Sequence, residues 1–103
     1  MNRLTALLNF INQTPSDPFL HFGIAMEYLS VNDEKKALEK MAFIYQEFPE
    51  YLPNYYQLAH LYENNNEIDK AILIYEKGIA LALAKNETKT AVELRSALEE
   101  LTF

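Results

Sequence analysis

Apolar residues recur along this chain at intervals of three and four positions, the spacing that places them on one face of an α-helix. Near the C-terminus, Ala91, Leu94, Leu98 and Leu101 form one such stripe. Short polar segments interrupt the pattern, while glycine and proline are scarce, at two and four residues. A sheet of several strands needs more turn residues than this. The pattern predicts six helices, over residues 3–13, 18–31, 34–47, 53–64, 67–84 and 88–101.

Several predicted boundaries carry residues that start or stop helices. Asp17 followed by Pro18 is typical of an N-cap and a first-turn proline. We expect Asn32 and Asn66 to end their helices in the left-handed conformation, which Asn adopts more readily than most non-glycine residues. Neither glycine nor proline enforces the last break, so a single helix over residues 67–101 is the alternative to two helices.

The sequence matches itself when it is shifted by 34 residues. Many of the matched positions carry small or aromatic residues at helical spacing, as two copies of one packed unit should. The same shift aligns Pro15 with Pro49, so residues 1–15 look like the second half of a repeat that lacks its first half. The matched pairs include Ala25 with Ala59, Tyr28 with Tyr62, Asn32 with Asn66, Lys36 with Lys70 and Ala37 with Ala71.

This pattern resembles the tetratricopeptide repeat, a helix pair with a 34-residue period and with Leu, small, aromatic and Ala residues at fixed positions. The first copy departs from it at His21, where a large apolar residue is usual, and at Met41, where an aromatic residue is common. The pattern residues hold helices together, so the resemblance speaks for a fold more than for a function. In the second copy they are Tyr55, Leu58, Ala59, Tyr62, Ala71 and Tyr75.

The resemblance implies an all-α fold, a right-handed α-solenoid of antiparallel helix pairs in a single domain over residues 1–103. Its parts would be an N-terminal half-repeat helix, two full repeats and a C-terminal capping helix. These parts would cover residues 1–15, 18–51, 52–85 and 88–101. The small residues of the pattern would lie where the two helices of a pair cross closely, because larger side chains there would push the helices apart.

In this family the first helix of each repeat lines a concave groove that holds a segment of a partner protein. The resemblance implies that the groove residues here are Phe19, Phe22, Met26, Tyr56, His60, Glu63 and Asn64. Two interpretations of Phe19 and Phe22 stay open, because both could instead pack against the opening helix. Some members build a carboxylate clamp from Lys and Asn, but other residue types stand at its positions in this chain.

Composition and charge narrow the possible partners and chemistry. The chain has 9 basic and 15 acidic residues and a formal net charge of −6, so we expect neither nucleic acid nor an anionic membrane as a partner. No apolar stretch approaches the ~20 residues that span a bilayer. There is no cysteine, and His21 and His60 lie far apart in the sequence. A metal site needs three or four converging ligands, so we expect none.

No set of nucleophile, base and oxyanion donors can be assembled from these residues, so we expect neither an enzyme nor a cofactor. The main hypothesis is a cytoplasmic protein–protein interaction module whose concave groove binds a peptide segment of an unknown protein partner. The alternative is self-association, with a homodimer formed through the ends of the solenoid.

Overall fold

The computed structural model describes residues 2–102, and within them the chain is all-α, with six helices and no strand. The predicted all-α fold is confirmed, and no helix end differs from its predicted position by more than one residue. Met1 and Phe103, the ends of the predicted domain, lie outside the described residues. The helices are α1 Arg3–Gln13, α2 Pro18–Ser30, α3 Glu34–Glu47, α4 Pro53–Asn64, α5 Ile68–Ala84 and α6 Thr88–Thr102.

Three asparagines in the left-handed conformation end α2, α4 and α5. Asn32 and Asn66 have φ angles of 63° and 60°, as predicted, and Asn86 also has φ 60°. After Asn86, the backbone N–H of Glu87 donates to the carbonyl oxygen of Ala82 at 2.8 Å, the bond of a Schellman motif. This motif separates α5 from α6, so the alternative of one helix over 67–101 is wrong.

The chain divides into two compact units between Tyr51 and Leu52, the boundary between the two predicted repeats. In the first unit, α2 packs against both α1 and α3. It begins as predicted at the N-cap Asp17, whose Oδ1 accepts a hydrogen bond from the backbone N–H of Phe19 at 2.9 Å. Ala25 and Ala37 are fully buried, as expected for positions where two helices cross closely.

In the second unit, α5 packs against both α4 and α6. Ala59 and Ala71 repeat the roles of their counterparts and are fully buried. Gly78 lies in the middle of α5, where a Cβ atom would be 2.9 Å from Cβ of Tyr55 and 3.0 Å from Cδ1 of Leu94. The glycine therefore allows all three helices of this unit to approach one another.

Candidate functional site

Phe19, Phe22 and Met26 lie along one side of α2, in the first unit. Phe19 is 67% exposed, so the interpretation that it packs away from solvent is wrong. Phe22 is partly buried, and its ring centroid lies 5.7 Å from that of Tyr51 in a tilted contact. Met26 is also partly buried. This side of α2 therefore offers one protruding aromatic ring beside a shallower apolar surface.

Tyr51 supports Phe22 and is itself held in its neutral form. Burial raises the pKa of the Tyr51 hydroxyl, and the nearby Asp17 carboxylate raises it further. Asp17 is also the N-cap of α2. The residue that starts this helix therefore acts on Tyr51, the residue whose ring contacts Phe22.

Tyr56, His60, Glu63 and Asn64 follow one another along α4, in the second unit. Tyr56 is 41% exposed and stacks on His60, with ring centroids 6.4 Å apart and an interplanar angle of 20°. Nδ1 of His60 lies 3.4 Å from Oε2 of Glu63, and Asn64 is exposed. The predicted residues of this helix thus form a continuous aromatic and polar stripe that solvent reaches.

The stripe on α4 rests on a buried tyrosine. The ring of Tyr56 meets that of Tyr75 edge to face, with centroids 6.2 Å apart, while Tyr75 itself is 1% exposed. Burial raises the pKa of Tyr75 to about 12, and the Glu63 carboxylate contributes to the same shift. Tyr75 is therefore uncharged at neutral pH and gives Tyr56 an apolar support.

An open pocket of about 410 Å³ lies between α2 and α3, and we call it the lysine pocket. Its lining residues are Tyr28, Lys36, Glu39, Lys40 and Phe43. None of them was predicted to bind a partner, because the resemblance implies binding by the first helix of each repeat, whereas four of these five residues lie on α3. The departure at His21, which contacts Lys40, was the one signal in the sequence that could have found this pocket.

Two further properties concern metals and membranes. Among residues 2–102, no three His, Asp or Glu side chains come together in a way that could hold a metal ion. No helix in this part of the chain is both long and apolar enough to cross a membrane.

Each unit is built from consecutive helices with small residues at their crossings, which is the architecture of helical repeat proteins. The chain is similar to a tetratricopeptide repeat domain protein from Salinibacter ruber in its solution structure, with 32% identity, 85% of this chain and 89% of that chain covered, and a TM-score of 0.80. A crystal structure of a tetratricopeptide repeat domain protein from the same organism gives 31% identity, coverages of 84% and 96%, and a TM-score of 0.80. The chain belongs to the tetratricopeptide repeat family.

A solution structure of a protein from Bordetella parapertussis has a TM-score of 0.80 at 19% identity, with 98% of this chain and 88% of that chain covered. At that identity the likeness shows the fold alone. No protein-family model and no curated protein matches the sequence. The chain thus belongs to a family of generic protein-interaction modules.

Proposed function

We propose that this protein binds peptide segments of a partner protein, through the exposed side of α2 in the first unit and the exposed side of α4 in the second. The observation that carries the proposal is the solvent-exposed stack of Tyr56 on His60 beside Glu63. An exposed aromatic ring whose position is fixed by its neighbours buries a large area on binding and loses little conformational entropy. The amide and carboxylate of Asn64 and Glu63 can pair with the polar groups of an extended peptide.

Peptides selected from a random displayed library against the intact protein test this proposal. Titrated into ¹⁵N-labelled protein, a selected peptide should shift the amide signals of α4 or of α2. The double variant Tyr56→Ala, His60→Ala should weaken its binding about tenfold or more, because central aromatic contacts commonly contribute ~2 kcal/mol. Glu76→Ala with Lys77→Ala, at exposed positions of α5, is the control and should leave the affinity unchanged. Signal changes confined to other helices would contradict the proposal.

A specific observation on α1 favours self-association as a second candidate. Phe10 is 56% exposed and lines an open pocket of about 250 Å³ with Ala6, Asn9 and Gln13. Its counterpart 34 residues later, Ile44, is fully buried. We propose that a second copy of this chain covers Phe10. Sedimentation of the wild type should then show a dimer that Phe10→Glu dissociates, whereas a monomer at all concentrations would exclude this candidate.

A further inference from the structure

The lysine pocket holds two ammonium groups that lie against aromatic rings. Nζ of Lys36 lies 5.7 Å from the ring centroid of Tyr28, and Nζ of Lys40 lies 5.2 Å from that of Phe43. The ion pairs found within residues 2–102 are Arg3–Glu27, His60–Glu63 and Glu67–Lys70, and neither pocket lysine takes part in them. In a chain with net charge −6, two lysines without a carboxylate partner are a local reversal of charge.

The second unit shows why Lys36 lacks such a partner. Its counterpart Lys70 also lies over a tyrosine ring, 5.5 Å from that of Tyr62, but its Nζ is 3.1 Å from Oε1 of Glu67. The residue equivalent to Glu67 in the first unit is the shorter Asp33. The carboxylate of Asp33 is used as an N-cap and accepts a hydrogen bond from the backbone N–H of Lys36 at 3.2 Å. The Lys36 ammonium is therefore available to an external anion.

Lys40 departs further from the repeat. Its counterpart in the second unit is Ile74, which is buried, and the counterpart of His21 is Tyr55, also buried. In the first unit these two positions hold a polar pair instead, with Nζ of Lys40 3.2 Å from Nδ1 of His21. An ammonium has three N–H donors, so two remain after the hydrogen bond to His21. Burial lowers the pKa of Lys40, and a carboxylate beside it would offset that desolvation.

The remaining wall of the pocket limits the charge of its ligand. Glu39 also lines the pocket and would repel a second negative charge on the same group. A single carboxylate suits two ammonium groups and one acid better than a phosphate dianion does. The rings of Tyr28 and Phe43 can meanwhile pack against an apolar residue next to the carboxylate in sequence.

We infer that the lysine pocket binds an acidic peptide segment of a protein partner, with an Asp or Glu side chain between Lys36 and Lys40 and an apolar neighbour against the two rings. The pocket shares no residue with the exposed side of α2 or with that of α4, the two surfaces proposed above to bind peptide. The two proposed binding sites can therefore be tested separately, and a negative result for one does not contradict the other.

Three blocked peptides serve as probes: Ac-Leu-Glu-Leu-NH₂, its Gln analogue, and its phosphoserine analogue. Each is titrated into the full ¹⁵N-labelled chain. The Glu peptide should give saturable shifts at the α3 amides from Lys36 to Phe43. The Gln peptide should bind about threefold more weakly, the size expected when an exposed ion pair is lost. Equal responses to the Glu and Gln peptides, or shifts confined to helices other than α2 and α3, would overturn the inference. Tighter binding of the phosphoserine peptide would overturn the assignment to a single carboxylate.

Matched variants locate the contact. Lys36→Gln should weaken binding of the Glu peptide about threefold, while Lys70→Gln, the same change at the equivalent lysine already paired with Glu67, should leave it unchanged. Lys40→Ile combined with His21→Tyr installs the residues of the second unit and should abolish the shifts. If that double variant does not fold, the comparison of Lys36→Gln with Lys70→Gln still decides the outcome. Equal effects of the two single variants would refute the site.

Discussion

Nδ1 of His21 accepts a hydrogen bond from Nζ of Lys40 at 3.2 Å, and Nε2 of the same ring donates to the carbonyl oxygen of Pro15 at 2.7 Å. The carbonyl can only accept, so Nε2 carries the proton, and Nδ1 accepts from the ammonium group of Lys40. The imidazole thus links the N-terminal end of α2, through the loop before it, to the middle of α3. It occupies the position at which the repeat family usually has a large apolar residue.

Removal of Lys40 should cost more than removal of a surface lysine, because it leaves the buried Nδ1 of His21 without a donor. We expect Lys40→Met to lower the free energy of unfolding by about 1–2 kcal/mol. His21→Phe with Lys40→Met should recover part of that loss, with a coupling energy of about 1 kcal/mol in a double-mutant cycle. Urea denaturation followed by circular dichroism measures all four proteins. Strictly additive effects would show that the hydrogen bond contributes nothing to stability.

The two glycines should respond in opposite ways to the same substitution. Gly78→Ala places a methyl group 2.9 Å from Cβ of Tyr55, and we expect it to destabilise the protein by about 1–3 kcal/mol. A methyl group on Gly23 would lie 3.6 Å from the side chain of Leu7, an ordinary contact.

Gly23→Ala should therefore stabilise α2 by up to about 1 kcal/mol, because alanine favours the helix over glycine. Thermal unfolding of both variants beside the wild type tests the pair of expectations. A rise in melting temperature for Gly78→Ala would mean that α4 and α6 can move apart without cost.

The left-handed conformation of Asn86 should make that position sensitive to alanine and tolerant of glycine. With φ at 60°, Asn86→Ala should cost about 1 kcal/mol, since a Cβ atom disfavours this region and alanine lacks the local hydrogen bonding of asparagine. Asn86→Gly should be neutral or stabilising. Chemical denaturation gives the stabilities. Greater helix content in Asn86→Ala, measured by circular dichroism, would instead mean that α5 and α6 merge into one helix.

The sequence was sufficient for the helices because their signals are local. Apolar spacing predicted the helical segments. Asn32 and Asn66, which match each other at a shift of 34 residues, predicted two of the helix ends in the left-handed conformation. Asn86 makes the same turn but lies outside that repeat, so periodicity alone left the division of α5 from α6 open. A single positive φ angle decides it, and sequence spacing does not encode that angle directly.

Residue exposure and side-chain pairing were harder to predict. Helical spacing placed Tyr56 and His60 on the accessible side of α4, where the structure has them, but it could not decide whether Phe19 was exposed. The lysine pocket was not predicted because it depends on which group each carboxylate binds, a backbone N–H or a lysine ammonium. Asp33 caps a backbone N–H whereas Glu67 pairs with an ammonium group, a difference of one methylene group that no pattern of apolar residues contains.

The buried hydroxyl of Tyr75 should make the protein lose stability in alkaline solution. Its pKa is raised to about 12 in the folded chain, above the ~10 of an unfolded tyrosine. The folded state therefore keeps the proton that the unfolded state releases, and the stabilisation is complete below pH ~10 and is lost as the pH rises from there through 12. Over that interval we expect the free energy of unfolding to fall by about 2 kcal/mol on account of this residue.

Tyr75→Phe, which has no hydroxyl to ionise, should show a shallower loss of stability over the same interval. Urea denaturation at pH values from 9 to 11.5 gives both slopes, and identical slopes for the two proteins would mean that Tyr75 ionises as readily in the folded chain as in the unfolded one.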